Sequence, residues 1–245
     1  MTFWDHLDEL RKALFRSVIL FLVLMVVIFL NKTLVFEKII FAPADSDFII
    51  FRLLKNFSEP FKLDLINIEL SSQFFTHISV SATLALIFAV PFILHQLWTF
   101  IKPGLYEKER RAINISFAFA AVLFFLGVLV GYFFVFPLTV RFLGTYQVSE
   151  LVENQISLKS YISMFTRLIL IMGLVFEMPA LVLILSRIKI LSKRVMKRYR
   201  KHAFVSLVII AAIITPSGDA FTLFVVSAPL YLLYEFSVLI CRDFD

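Results

Sequence analysis

Charge is scarce in this chain: Asp, Glu, Lys and Arg make up 17% of its 245 residues, where soluble domains carry about 25%. Cysteine is nearly missing, and the single Cys241 allows no internal disulfide and no thiolate metal cluster. No His-Glu-x-x-His run or equivalent occurs, and no nucleophile–base pair stands out, so neither a membrane metalloenzyme nor another intramembrane enzyme is expected. No cofactor is implied. The inverted halves of a secondary transporter would place matching interruptions in the first and second halves, and none match. What fills the sequence instead is hydrophobic: 60% of residues, with 30 phenylalanines and a mean hydropathy of +0.92. That leaves too little polar surface to cover a globule of this size in water. A soluble enzyme, a disordered chain and a nucleic-acid module are all excluded. The expectation is an all-α integral membrane protein.

A helix needs about 20 mostly apolar residues to cross a hydrocarbon core of about 30 Å. Six stretches qualify or nearly so, and together they predict one polytopic membrane domain over 1–245. They are 13–30, 74–101 (interrupted by Pro91), 113–138, 161–186, 203–214 and 220–241. The third carries Gly127 and Gly131, a GxxxG spacing that lets a second helix approach closely. The fifth is only a dozen residues, and with the sixth, broken at Pro229, it predicts a tight hairpin. The first is not a cleaved signal peptide, because its leading residues mix Asp5, Asp8 and Glu9 with Arg11, Lys12 and Arg16. The loop 31–73 is expected to fold as short helices against the outer interface. The chain is expected to end without a tail beyond the last span.

Sixteen Lys and Arg lie at the amino terminus, in the loops after spans two and four and at Arg242; seven lie on the other side over longer loops. By the positive-inside rule both termini face the cytoplasm. That bias accounts for the net charge of +6 without any nucleic-acid partner.

Ionisable residues inside spans are costly unless paired or hydrated, and so mark candidate sites. His77 and His95 are five turns and about 27 Å apart on one helix, too far to share a metal. Arg167 and Glu177 share span four but lie about 15 Å apart and cannot pair directly. Arg167 is near the outer end and can snorkel. Glu177 is deep, beside Pro179. It is either a buried neutral acid or one bonded to a carbonyl that the proline frees, or a polar point in a hydrated groove that meets a partner or cargo. Glu235, near the end of the last span, can snorkel or serve a contact. On the amino-terminal side, Glu9, Glu107 and Glu109 either form i,i+3 and i,i+4 pairs such as Asp8–Lys12 and Glu107–Arg111, or present carboxylates that grip guanidinium groups.

Taken in order, these stretches resemble the TatC family, the multispanning receptor of the twin-arginine protein translocase. HLDELRK (6–12) is similar to the family's H-L-x-E-L-R signature, and Ala42-Pro43 to the Ala-Pro after its first span. FILHQLW (92–98), FIKPGLY (100–106) and ERR (109–111) resemble its cytoplasmic loop, and GLVFEMP (173–179) its G-x-x-F-E-x-P. Thr215-Pro216 with Asp219, then PLY (229–231) and Glu235, resemble its short C-terminal helices, although Leu223 stands where a glutamine is usual.

The resemblance implies six helices with both termini inside, the last two short, around a concave membrane-facing groove in the bacterial cytoplasmic (inner) membrane. It implies that Glu9 and Glu109 receive the paired arginines of a folded cargo's signal peptide, with Leu10, Arg11, Phe100, Pro103, Tyr106, Arg110 and Arg111 around them. Glu177 would lie in the intramembrane groove, while Pro43, Asp219, Phe221 and Glu235 would be partner contacts or structural. The implied partners are twin-arginine signal peptides, single-span TatA-type and TatB-type subunits, further copies of the chain, and membrane lipid; export would draw on the proton motive force. The residues alone leave a different class open, a proton- or ion-coupled transporter of small molecules using Glu177.

Overall fold

The computed structural model describes residues 3–53, 63–101, 107–149, 151, 154–215, 218–241 and 243, with side chains throughout these except at 3, 5, 101 and 107–116. The chain is mostly helical. α1 (Phe3–Leu30) is followed by a π-helix (Leu34–Ile40), a 3-10 turn (Ala42–Ala44), α2 (Ile49–Leu53) and β1 (Leu65–Ile66). Next come α3 (Ser72–Ile101), α4 (Glu107–Val130), a π-helical turn (Gly131–Val135), α5 (Phe136–Thr145) and β2 (Ile156–Ser157). The last part is α6 (Leu158–Val175), α7 (Met178–Arg187), α8 (Lys193–Arg198), α9 (Arg200–Ile214) and α10 (Ala220–Ile240).

Among the described residues, five helical segments are long and apolar enough to span a bilayer: His6–Leu30, Ser72–Phe100, Phe117–Thr145, Leu158–Arg187 and Ala220–Ile240. The chain is thus a multi-pass membrane protein. α9 has 15 residues, about 22 Å of helix, which falls short of the roughly 30 Å core. The helices depart from expectation at both internal prolines and at the start of α6. The last helix is not short, nor is it broken at Pro229: α10 runs unbroken for 21 residues. A proline forfeits one backbone bond, and α10 packs against α5, α7 and α9, which offsets that loss. α3 likewise runs straight through Pro91. Arg167 lies deeper than expected, nine residues past the start of α6, because that helix begins at Leu158.

The core is where the glycines of the third span meet α6. A Cβ on Gly127 would stand 2.5 Å from the Met172 carbonyl oxygen, and one on Gly131 3.1 Å from Met172 Cβ. Gly173 returns the approach, its would-be Cβ 2.8 Å from Phe124 Cε2. Around this contact Phe124, Phe136, Tyr161, Phe165, Leu168 and Met172 are buried, with Phe136 edge-on to Phe165 at 5.0 Å. α1 stands apart from this core. Only 6% of its spanning window is buried, against 33–44% for the other four, and it packs chiefly on α3.

The connections sort onto two faces. β1 and β2 pair in parallel, Leu65 opposite Ile156, which brings the loops after α1 and α5 together. Two tyrosines pin the first of these loops: Tyr132 donates to the Ile39 carbonyl at 2.9 Å and Tyr161 to that of Ile40 at 2.7 Å. Pro43 is buried in the adjoining turn. On the opposite face His6 stacks on Phe100 at 4.1 Å, tying the start of α1 to the end of α3, and Asp243 accepts the Arg194 amide at 2.9 Å.

Candidate functional site

The amino-terminal face holds a cleft of about 200 Å³ between the first turns of α1 and the last turns of α3, lined by Glu9, Lys12, Ala13, Arg16, Gln96, Thr99 and Phe100. Helical spacing builds it. Glu9, Ala13 and Arg16 make one stripe on α1, and Gln96, Thr99 and Phe100 make another on α3. Asp8 and Lys12 form the expected i,i+4 pair at 2.9 Å. That pairing leaves the half-buried Glu9 carboxylate with no ion pair among the described residues. Arg11 turns away, its guanidinium 5.7 Å from the Phe15 ring.

Through Ala13, Gln96 and Phe100 this cleft adjoins an apolar groove of about 420 Å³ that follows α1 from Leu10 to Phe21 and α3 from Ala82 to Phe100. Leu14, Val18, Leu86 and Leu97 supply its walls. The eleven steps of helix from Leu10 to Phe21 give a run of about 16 Å. The structure therefore joins Glu9, Leu10 and Phe100 in one site. Glu109, Arg110 and Arg111 fall in the first turns of α4, with side chains outside the described residues, and Pro103 and Tyr106 lie outside them altogether. Lys12, Arg16, Gln96 and Thr99 line the cleft without being expected as site residues; the i,i+3 and i,i+4 spacing to Glu9 and Phe100 is the signal in the sequence.

Glu177 sits in the two-residue turn between α6 and α7. Pro179 has no N–H and its ring clashes with the carbonyl four residues back, so the helix breaks there. Glu177 makes no side-chain hydrogen bond among the described residues, and its Oε1 is buried without a partner. The bond to a freed carbonyl does not form. Nor does Glu177 line the α1–α3 groove.

The remaining candidates have structural duties within the chain. Glu235 accepts from Arg200 at 2.6 Å and from the Tyr231 hydroxyl at 3.2 Å, joining α9 to α10. Tyr234 donates to the Met196 carbonyl at 2.7 Å beside them. Asp219 caps α10 by accepting the Thr222 amide at 2.7 Å, and Phe221 stacks on Phe142 at 4.4 Å. His77 is held between Phe29, stacked at 3.9 Å, and the edge of Phe36. His95 is exposed on α3. No group of three His, Cys, Asp or Glu side chains able to hold a metal occurs among the described residues.

Residues 5–229 match the family model described as Sec-independent protein translocase protein (TatC). The TatC protein of Blattabacterium sp. subsp. Periplaneta americana is 36% identical over 98% of this chain and 94% of its own length. That of Deinococcus radiodurans is 33% identical over 98% and 86%. A crystal structure of the twin-arginine translocase receptor TatC in DDM superposes with a TM-score of 0.77 at 34% identity, covering 97% of this chain and 99% of the other. A second crystal structure of that receptor gives 0.75. Agreement at this level in sequence and in fold, over nearly the full length, shows that the chain belongs to the TatC family of Sec-independent protein translocase proteins.

Proposed function

We propose that this chain is the receptor of a twin-arginine translocase. It binds the signal peptides of folded cargo on its amino-terminal face and nucleates a translocase with single-span TatA-type and TatB-type subunits and further copies of itself. Export through that assembly is driven by the proton motive force, and the chain itself carries out no covalent chemistry. The observation that carries the reading is Glu9: a carboxylate without an ion-pair partner among the described residues, at the mouth of an apolar groove whose wall shares Phe100 with it. A signal peptide offers a pair of guanidinium groups followed by an apolar segment. Carboxylates hold guanidinium groups through paired charge-assisted bonds, and the groove offers apolar lining for the segment. Glu109, which opens toward the same loop in sequence, is the second acid of the site.

In this reading the sixteen-to-seven bias of Lys and Arg places both termini in the cytoplasm of a bacterial inner membrane. α9 is the fifth and shortest of six spans, and thins the bilayer around the α9–α10 hairpin. Glu177 lies on a concave intramembrane face where partners or the inserted peptide dock. The other class, an ion-coupled transporter using Glu177, has no support from the family relatives. Binding of the purified protein to a twin-arginine peptide, compared with its twin-lysine version, tests the reading. Preference for arginine that Glu9→Ala removes supports it, and equal binding of both peptides rejects it.

A further inference from the structure

On the face opposite the amino terminus, a cleft of about 310 Å³ separates the start of α3 from the first turns of α6, with Ser79, Ser163 and Thr166 among its lining. At its mouth Lys159 is held by both oxygens of Glu69, at 2.9 and 3.0 Å. Thr76 and Thr166 direct their hydroxyls to carbonyls of their own helices, at 2.7 and 2.9 Å. Ser79 and Ser163 do not; both are exposed, and neither hydroxyl makes a hydrogen bond among the described residues, although the Ser163 carbonyl accepts from Thr166 at 3.2 Å. One turn deeper than Ser163, and next to Thr166, stands Arg167, just outside the cleft's lining. Positions 159, 163, 166 and 167 follow i, i+4, i+7 and i+8 and so share one stripe of α6. Arg167 is exposed, inside a membrane-spanning segment, and has no ion pair or hydrogen bond among the described residues.

We infer that Arg167, with the Ser163 and Ser79 hydroxyls above it, holds the phosphate of an anionic phospholipid in the leaflet on this face. The stripe offers hydroxyl and guanidinium donors, and the one carboxylate lining the cleft among the described residues, Glu69, is engaged by Lys159. Its net charge is therefore that of Arg167, which suits a phosphodiester monoanion. The guanidinium fork matches two phosphate oxygens and the hydroxyls can take the rest. Depth selects a lipid over a dissolved anion. The segment Leu158–Arg187 has 30 residues in two helices joined by the turn at Glu177, at most about 45 Å against a core of about 30 Å. Centred in the bilayer, it places the Arg167 backbone about 6 Å below the hydrocarbon edge. A long side chain reaches the headgroup layer from there by snorkelling. This assignment does not depend on the signal-peptide reading, since the two sites lie on opposite faces.

Native mass spectrometry of the full-length protein, exchanged from detergent into mixed micelles of phosphatidylglycerol and phosphatidylcholine, tests it. Wild type should retain phosphatidylglycerol preferentially. Arg167→Gln should lower that preference about fivefold, the effect of one basic residue near a membrane surface, and Arg167→Lys should restore part of it. Lys32→Gln, an exposed lysine on the same face, should change little. Inorganic phosphate should not displace the lipid. Monodisperse elution of each variant shows that it has folded. An unchanged preference in folded Arg167→Gln overturns the inference, as does a loss in Lys32→Gln as large as in Arg167→Gln. Displacement by phosphate reassigns the site to a soluble anion. Unchanged lipid binding with weakened capture of a single-span subunit reassigns Arg167 to a partner helix carrying a carboxylate.

Discussion

Glu9 differs from the acid beside it in pairing and in surroundings. Asp8 has Lys12 at 2.9 Å, an exposed helical pair worth tenths of a kcal/mol, whereas Glu9 has no counter-charge among the described residues and faces a cleft. Glu9→Gln should therefore weaken binding of a twin-arginine peptide about tenfold or more, the scale of a charge-assisted bond. Asp8→Asn should leave it within about twofold; calorimetric titration of both variants checks this. Equal effects of the two changes would remove the special role of Glu9. Glu177→Ala should leave first binding intact and impair transport, measured with a folded cargo in membrane vesicles, and full transport would remove the role given to Glu177. At this scale the sequence shows local partnerships and hides distant ones. Asp8–Lys12 is readable because four residues make one turn. Arg200 was counted with the basic loop, because nothing in the chain says that it meets Glu235 thirty-five positions later. The unbonded Oε1 of Glu177 is equally invisible, since the proline announces a break but not the direction of the side chain.

Helices meet where the side chain is missing. Gly127 lets α4 touch the backbone of α6, and a valine there would drive its Cβ into the Met172 carbonyl, which cannot swing aside as a flexible side chain would. Gly127→Val should destabilise the protein by about 1–3 kcal/mol, visible as a lowered melting temperature in detergent, and unchanged melting would show that the contact is not close in solution. The hairpin of α9 and α10 relies on a different device. Arg200 and Glu235 are 45% and 29% exposed, so their bond is partly screened. A double-mutant cycle on Arg200→Ala and Glu235→Ala should return a coupling of about 1 kcal/mol or less; zero coupling would mean that the pair orders the hairpin without stabilising it. Hydrophobic length and the GxxxG spacing made the long helices and their closest contact legible. The proline at 229 misled because its local cost is real, while the packing that offsets it comes from α5, α7 and α9, elements that a local pattern cannot represent.

Across the whole molecule the strands β1 and β2 and the His6–Phe100 stack fix which loops share a face, and the distribution of Lys and Arg proposes which face is cytoplasmic. Cysteines introduced at the exposed positions Lys32 and Lys201 should react with an impermeant maleimide from opposite sides of intact cells, Lys32 from outside. Labelling of Lys201 from outside would invert the topology. The long apolar helices were legible because the bilayer imposes their length on composition; the sidedness that Lys and Arg propose is what the labelling tests. The α1–α3 groove was not legible, because it arises from the small area that α1 shares with the remainder of the fold. That groove, with Glu9 at its mouth, is the central claim. It is tested most directly by titrating the purified protein with one signal peptide in two forms, its arginine pair intact or changed to lysines. The account predicts clear preference for the arginine form, abolished by Glu9→Gln while the protein stays folded. Equal affinity for the two forms, or preference that survives Glu9→Gln, would contradict it.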